Sequence, residues 1–131
     1  MRWLVTGARG MLGTDVVTSL GERGHEVLAL GSDELDVRDE RAVGRAVSGV
    51  DVVVNCAAWT AVDDAEAHER EAFAVNATGA KHLARAASRA GARAVQISTD
   101  YVFAGDARDP SAEDARPGPA RGDAARADLQ P

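Results

Sequence analysis

The stretch Leu4–Gly13, "LVTGARGMLG", decides the reading of this chain. Three glycines, Gly7, Gly10 and Gly13, stand three residues apart between two apolar runs. The first run, Trp3–Val5, reads as a buried strand. The second, Met11–Leu20, reads as a helix with Leu12, Val16, Val17 and Leu20 on one face. The glycines therefore fall at a strand-to-helix turn, where a tight bend and a close backbone approach favour residues without a Cβ. The helix N-terminus behind them offers free N–H groups and partial positive charge. Such a turn suits a pyrophosphate. A glycine triplet alone is equally the mark of an ordinary turn, and the spacing G-x-x-G-x-x-G differs from the usual dinucleotide fingerprint.

Bulk properties narrow the field. The 131 residues amount to about one domain, 45% hydrophobic and 27% charged, as for a globular protein. A net charge of −6 argues against a nucleic-acid partner, which calls for a basic face. No apolar run reaches the roughly 20 residues of a membrane span, so no membrane association is expected. The start "MRWLVTG" enters a strand at once, which leads us to expect no signal peptide. The single cysteine, Cys56, excludes an internal disulfide and fits a cytoplasmic location. It reads as a small buried residue.

The first hundred residues alternate strand and helix. After "GERGHE" comes a strand at Val27–Leu30, then a very short one at Leu35–Val37, then a helix at Arg41–Ser48. A strand follows at Val52–Asn55. A long helix is expected from Glu66 to Ala90, with Phe73, Ala77, Ala80, Leu83, Ala84 and Ala87 facing inward. Ala94–Ser98 is the last strand. This alternation predicts an α/β fold, a doubly wound parallel sheet of Rossmann-like kind. The sheet is expected to be incomplete on its C-terminal side, leaving Ala94–Ser98 as an edge prone to self-association. Beyond about Ala104 the composition turns to Ala, Asp, Arg, Pro and Gly, with Leu129 the lone large aliphatic residue. We expect residues 1–105 to form a nucleotide-binding domain. Residues 106–131 are expected to be a disordered or aberrant tail, with no substrate domain.

Four segments lie in order on this pattern: "TGARGMLG", "LDVRD", "VVVNCAAWTAVDDAE" and "ISTDYVFAG". With "AVNATGAKHLA", they strongly resemble the dTDP-4-dehydrorhamnose reductase family of extended short-chain dehydrogenases. The resemblance covers residues 1–105. It implies an oxidoreductase that reduces the 4-keto group of a dTDP-linked 4-keto-6-deoxy sugar with NADH or NADPH. It also implies site residues. Gly7, Gly10 and Gly13 would wrap the pyrophosphate, with N–H groups from Met11 and Leu12. Asp36 and Val37 would lie beside the adenine, although Asp36 alone also reads as a solvated turn carboxylate. Ala57, Ala58, Trp59 and Thr60 would let the cofactor lie close, Trp59 reading equally as a lid on the core. Asn76 would order the active-site end of the long helix, or else be an exposed polar residue. Thr99 would donate a hydrogen bond to the substrate carbonyl, with Asp100 beside the sugar and Tyr101, Val102 and Phe103 shaping the pocket floor; "STDYVF" also fits a plain strand end with an Asx-type turn.

Arg9 in the glycine loop is placed to reach a 2′-phosphate, which favours NADPH without excluding NADH. Some family members use Mg2+ near the first helix; Asp15 lies there, and one carboxylate is no metal site by itself. His25, His68, Lys81 and His82 read as surface residues, and Asp63 and Asp64 as stabilisers of a helix N-terminus.

The chain departs from the family in one respect. The family's proton donor is a tyrosine with a lysine four residues on. Here the one tyrosine is Tyr101, the one lysine is Lys81, and position 105 is Gly105. The pair would belong just after residue 120, where the chain reads "ARGDAARADLQP", as a frameshift or truncation would produce. Three readings follow: a cofactor-binding part of a 4-ketoreductase, inactive alone; a non-catalytic nucleotide-binding regulatory subunit; or a fragment without a function of its own.

Overall fold

The structure, a computed structural model, describes residues 1–99, 102–103, 110–115 and 118. Asp100, Tyr101 and most of the expected tail lie outside the described residues. Four strands form one parallel sheet: β1 Arg2–Thr6, β2 Glu26–Leu30, β3 Val52–Asn55 and β4 Arg93–Gln96, in the order β2-β1-β3-β4. The register sets Leu4 beside Leu28 and Val53, and Val53 beside Ala94. The helices are α1 Met11–Glu22, α2 Glu40–Val47, α3 Val62–Ala67, α4 Glu69–Phe73 and α5 Ala80–Ala90, with a π-turn at Ala74–Gly79 between α4 and α5.

Alternation along the strands divides the core in two. Leu4 and Val53 pack with Val43 and Val47 of α2 and Leu83 and Ala87 of α5. Val5, Val52 and Val54 point the other way, against Val16, Val17 and Leu20 of α1. Both faces of the sheet are thus covered, which is why β1 and β3 are almost uninterrupted runs of apolar residues. Across the carboxyl ends of the strands runs a polar row. The Thr6 hydroxyl donates to Asn55 Oδ1, and Asn55 Nδ2 donates to Gln96 Oε1 at 2.8 Å. The same Asn55 Oδ1 accepts the Ala57 N–H at 3.1 Å, which fixes the loop leaving β3. Buried polar groups joined in this way resist a slip in register, since any shift would leave them unpaired.

Several expectations are corrected. Leu35–Val37 is not a strand: Glu34 and Leu35 N–H groups both return to Gly31 O, making a turn that buries Leu35 and Val37 in the core. The long helix begins earlier, at Val62, and breaks at His68, whose φ of −125° is not helical. Beyond the break the π-turn adds backbone without advancing the helix by the usual angle. The inward face is consequently Ala72, Asn76, Gly79, Leu83 and Ala87, while Phe73 is 49% exposed and Ala84 is exposed. Leu12 is also exposed, because the first turn of α1 overhangs the sheet end. β4 starts and ends sooner than Ala94–Ser98. The His82 ring is partly buried with Nδ1 3.2 Å from Val37 O, and the partly buried His25 ring lies 5.4 Å from that of Trp3.

Candidate cofactor-binding site

The glycine turn is held by close backbone packing and by the Thr14 hydroxyl, which donates to Gly10 O at 2.9 Å. Gly7 sits at φ 63°, a conformation L side chains rarely adopt, and a Cβ there would come within 2.6 Å of Cys56 and Ala57 backbone atoms. A Cβ on Gly13 would overlap Gly7 O and reach 2.8 Å from Ala8 Cα. Gly10 N–H donates to Gly7 O at 2.9 Å, and Ala8 N–H donates to Leu30 O at 3.1 Å, tying the loop to the end of β2. The α1 ladder then opens with Thr14 N–H on Gly10 O. The N–H groups of Met11, Leu12 and Gly13 precede that bond and have no intrahelical acceptor. No side chain caps Gly10, and the first turn holds no acidic residue. An open helix N-terminus of this kind attracts an anion.

Beside the turn lies a cleft of about 500 Å³ at the carboxyl end of the sheet. Gly7 and Gly10 line it, with Asp36, Val37 and Arg38 after β2 and Ala57, Ala58 and Trp59 after β3. Of the expected site residues, Met11, Leu12, Gly13, Thr60 and Thr99 are not in its lining. Gly13 acts from beneath, by letting the turn close. Thr60 is exposed, and Thr99 is partly buried beyond β4. Asp100 lies outside the described residues.

The Asp36 carboxylate accepts from Arg38 Nε at 2.9 Å, Arg38 Nη2 at 2.7 Å and Arg38 N–H at 2.9 Å. Arg38 hydrogen bonding holds the Asp36 carboxyl below its ordinary value and raises the guanidinium. Burial pushes the Cys56 thiol up, away from thiolate chemistry. Asn76 is 5% exposed and clamps Trp59 from both sides. Its Oδ1 accepts Trp59 N–H at 2.8 Å and its Nδ2 donates to Trp59 O at 3.2 Å. Trp59 thereby lines the cleft while its ring also packs on Ala65 and Ala72.

Sequence reasoning missed Arg38 and Glu34. Nothing in the local pattern marks them, because their roles follow from how the turn after β2 folds. Among the described residues no three His, Cys, Asp or Glu side chains converge as a metal site, and no helix is long and apolar enough to cross a membrane.

Residues 1–125 match the family model described as RmlD substrate binding domain. The chain belongs to this family. It is 52% identical over 120 residues to a dTDP-4-dehydrorhamnose reductase of Streptomyces griseus, covering 90% of this chain and 40% of that protein. It is 52% identical over 119 residues, 87% of the chain and 40% of the relative, to a probable dTDP-4,6-dihydroxy-2-methyloxan-3-one 4-ketoreductase of Streptomyces antibioticus. Among solved structures, a dTDP-4-dehydrorhamnose reductase from Clostridium acetobutylicum superposes with a TM-score of 0.86 at 42% identity, over 91% of this chain and 43% of that one. One from Bacillus anthracis, in complex with NADP, gives 0.85 at 35% identity, over 90% and 43%. The chain spans about 40% of the length of the curated relatives it matches. The Rossmann-like sheet expected from the sequence is the fold these structures share.

Proposed function

We propose that residues 1–105 bind NADPH or NADH and form the cofactor-binding part of an oxidoreductase that reduces the 4-keto group of a dTDP-linked deoxysugar, of the dTDP-4-dehydrorhamnose to dTDP-rhamnose type. The observation that carries this reading is the glycine turn. Gly7 lies against Cys56 and Ala57, Gly10 and Gly13 close on Gly7 and Ala8, and the uncapped start of α1 is left beside the cleft. That cradle fits a pyrophosphate, with Met11 and Leu12 N–H groups as donors and Gly7 and Gly10 beneath. Asp36 and Val37 would flank the adenine, and Ala57, Ala58, Trp59 and Thr60 the nicotinamide side. When bound, the cofactor supplies a hydride to the sugar carbonyl. Thr99 would donate a hydrogen bond to that carbonyl oxygen and polarise it, with Asp100 against the sugar. A cytoplasmic setting, as a chain with a single cysteine suits, is part of this reading.

The sequence holds no Tyr-x-x-x-Lys pair of the kind the family resemblance implies for delivering a proton to the reduced oxygen. That observation supports a second reading, a non-catalytic nucleotide-binding regulatory subunit. Both share the same cofactor site. The test is titration of NADPH into the purified chain, followed by cofactor fluorescence. Saturable binding is expected, and Gly10→Glu should abolish it, because the new carboxylate would fill and repel the anion site. Equal binding by that variant would remove the assignment of the glycine loop.

A further inference from the structure

The turn after β2 carries the cleft wall formed by Asp36, Val37 and Arg38, and it is held at both ends. At its start Glu34 Oε2 accepts Gly31 N–H at 2.9 Å and lies 3.1 Å from Arg9 Nη2 of the glycine loop. At its far end the grip comes from the π-turn and α5. Gly79, the last residue of the π-turn, lies so close to Val37 that a Cβ there would stand 2.6 Å from Val37 Cγ2. Within the next helical turn the partly buried His82 sets Nδ1 3.2 Å from Val37 O. A carbonyl only accepts, so Nδ1 carries the proton and donates. In the same π-turn, Asn76 clamps Trp59 of the wall after β3. One helical segment thus reaches both walls of the cleft.

We propose, resting on the cofactor reading above, that His82 is a positioning residue for the adenine half of the cleft. It does not line the cleft and acts through Val37. Its hydrogen bond fixes Val37 O and with it the turn that presents Asp36 and Arg38. Gly79 lets the helix approach closely enough for the imidazole to reach. Asn76 does the corresponding work for Trp59 and the nicotinamide half. The two anchors are separable: loosening one impairs the half of a dinucleotide that rests on its own wall. Asparagine is the discriminating replacement for His82. Its amide nitrogen is a donor the same number of bonds from Cβ as imidazole Nδ1, whereas glutamine sets its nitrogen one bond further out.

The test measures dissociation constants for NADPH, by cofactor fluorescence, and for ADP, by calorimetry, in the full chain and in His82→Ala, His82→Asn and Asn76→Ala. ADP carries the adenine, ribose and pyrophosphate without the nicotinamide. Circular dichroism confirms folding of each variant. His82→Ala should weaken both ligands by about two- to tenfold, the scale of one net hydrogen bond. His82→Asn should restore most of both affinities. Asn76→Ala should weaken NADPH and leave ADP near wild type, a split that a general loosening of the fold would not produce. Wild-type affinities in folded His82→Ala, a loss confined to NADPH, no rescue by asparagine, or an equal loss of ADP binding in Asn76→Ala would each overturn the role of His82 while leaving the cofactor site intact. Should His82→Ala not fold, His82→Gln is compared with His82→Asn instead, and equal affinities would overturn the proposal. A wild-type chain that binds neither ligand would overturn the cofactor reading and this proposal together.

Discussion

Replacing Asn76 by alanine would test whether the π-turn builds the cleft wall. The side chain makes two hydrogen bonds to one residue, accepting from Trp59 N–H at 2.8 Å and donating to Trp59 O at 3.2 Å. Each is worth about 1 kcal/mol net, and more where the orphaned partner stays buried. Trp59 is only partly buried, so water can reach some of what the substitution exposes. Alanine is also the better helix former by about 0.5 kcal/mol. These effects combine to a loss of about 2 kcal/mol, or about 6–8 °C in Tm for a chain of this size. Thermal melts followed by circular dichroism would measure it, and NADPH titration of the folded variant should show weaker binding as Ala58 and Trp59 lose their anchor. A melt within about 1 °C of wild type, with unchanged binding, would refute the reasoning.

Acid should weaken the fold through Asp36. Its folded pKa is lowered, chiefly by hydrogen bonding to Arg38, so its contribution is complete above the ordinary carboxylate range and is lost as pH falls through the lowered value, below about pH 4. Urea midpoints from pH 7 to pH 3 should therefore fall less steeply in Asp36→Asn than in wild type. Among the described residues β4 pairs on one side only, with Val95 41% exposed, so the chain should self-associate through that edge. Light scattering should show this, Val95→Lys should reduce it, and a monomeric wild type would contradict it. Mixed with NADPH and a dTDP-4-keto-6-deoxy sugar, the chain should lose absorbance at a rate near background, because an absent proton donor alone removes about 10²–10⁴-fold. Robust turnover dependent on Thr99 would show that another group donates the proton.

Local features were legible in the sequence. Runs such as Val52–Asn55 and the spacing of Gly7, Gly10 and Gly13 express strand burial and turn geometry within a few residues. Leu35–Val37 misled because two apolar residues flanking a polar one fit a strand and a turn that buries both equally well. Phe73 and Ala84 misled for another reason: a 3.6-residue period presumes an unbroken α-helix, and both the break at His68 and the π-turn alter the phase. The row Thr6–Asn55–Gln96 and the pairing of Arg9 with Glu34 join residues that only the sheet register or the turn after β2 brings together. No pattern of neighbours along the chain encodes either.

The strand order β2-β1-β3-β4 has a consequence for which residues are free to vary. From β1 the path runs outward to one edge, then returns to β1's other flank as β3. The connection after β1 leads to α1 on one face, and that after β3 leads to α5 on the other. Two neighbouring strand ends therefore send their chains in opposite directions, and the gap between the diverging paths is the cleft. A hollow made by routing persists whatever lines it. Arg9, Ser32 and Asp36, which line it, can change without opening or closing the space. Gly7 has no such licence, because it stands at the fork itself, against Cys56 and Ala57.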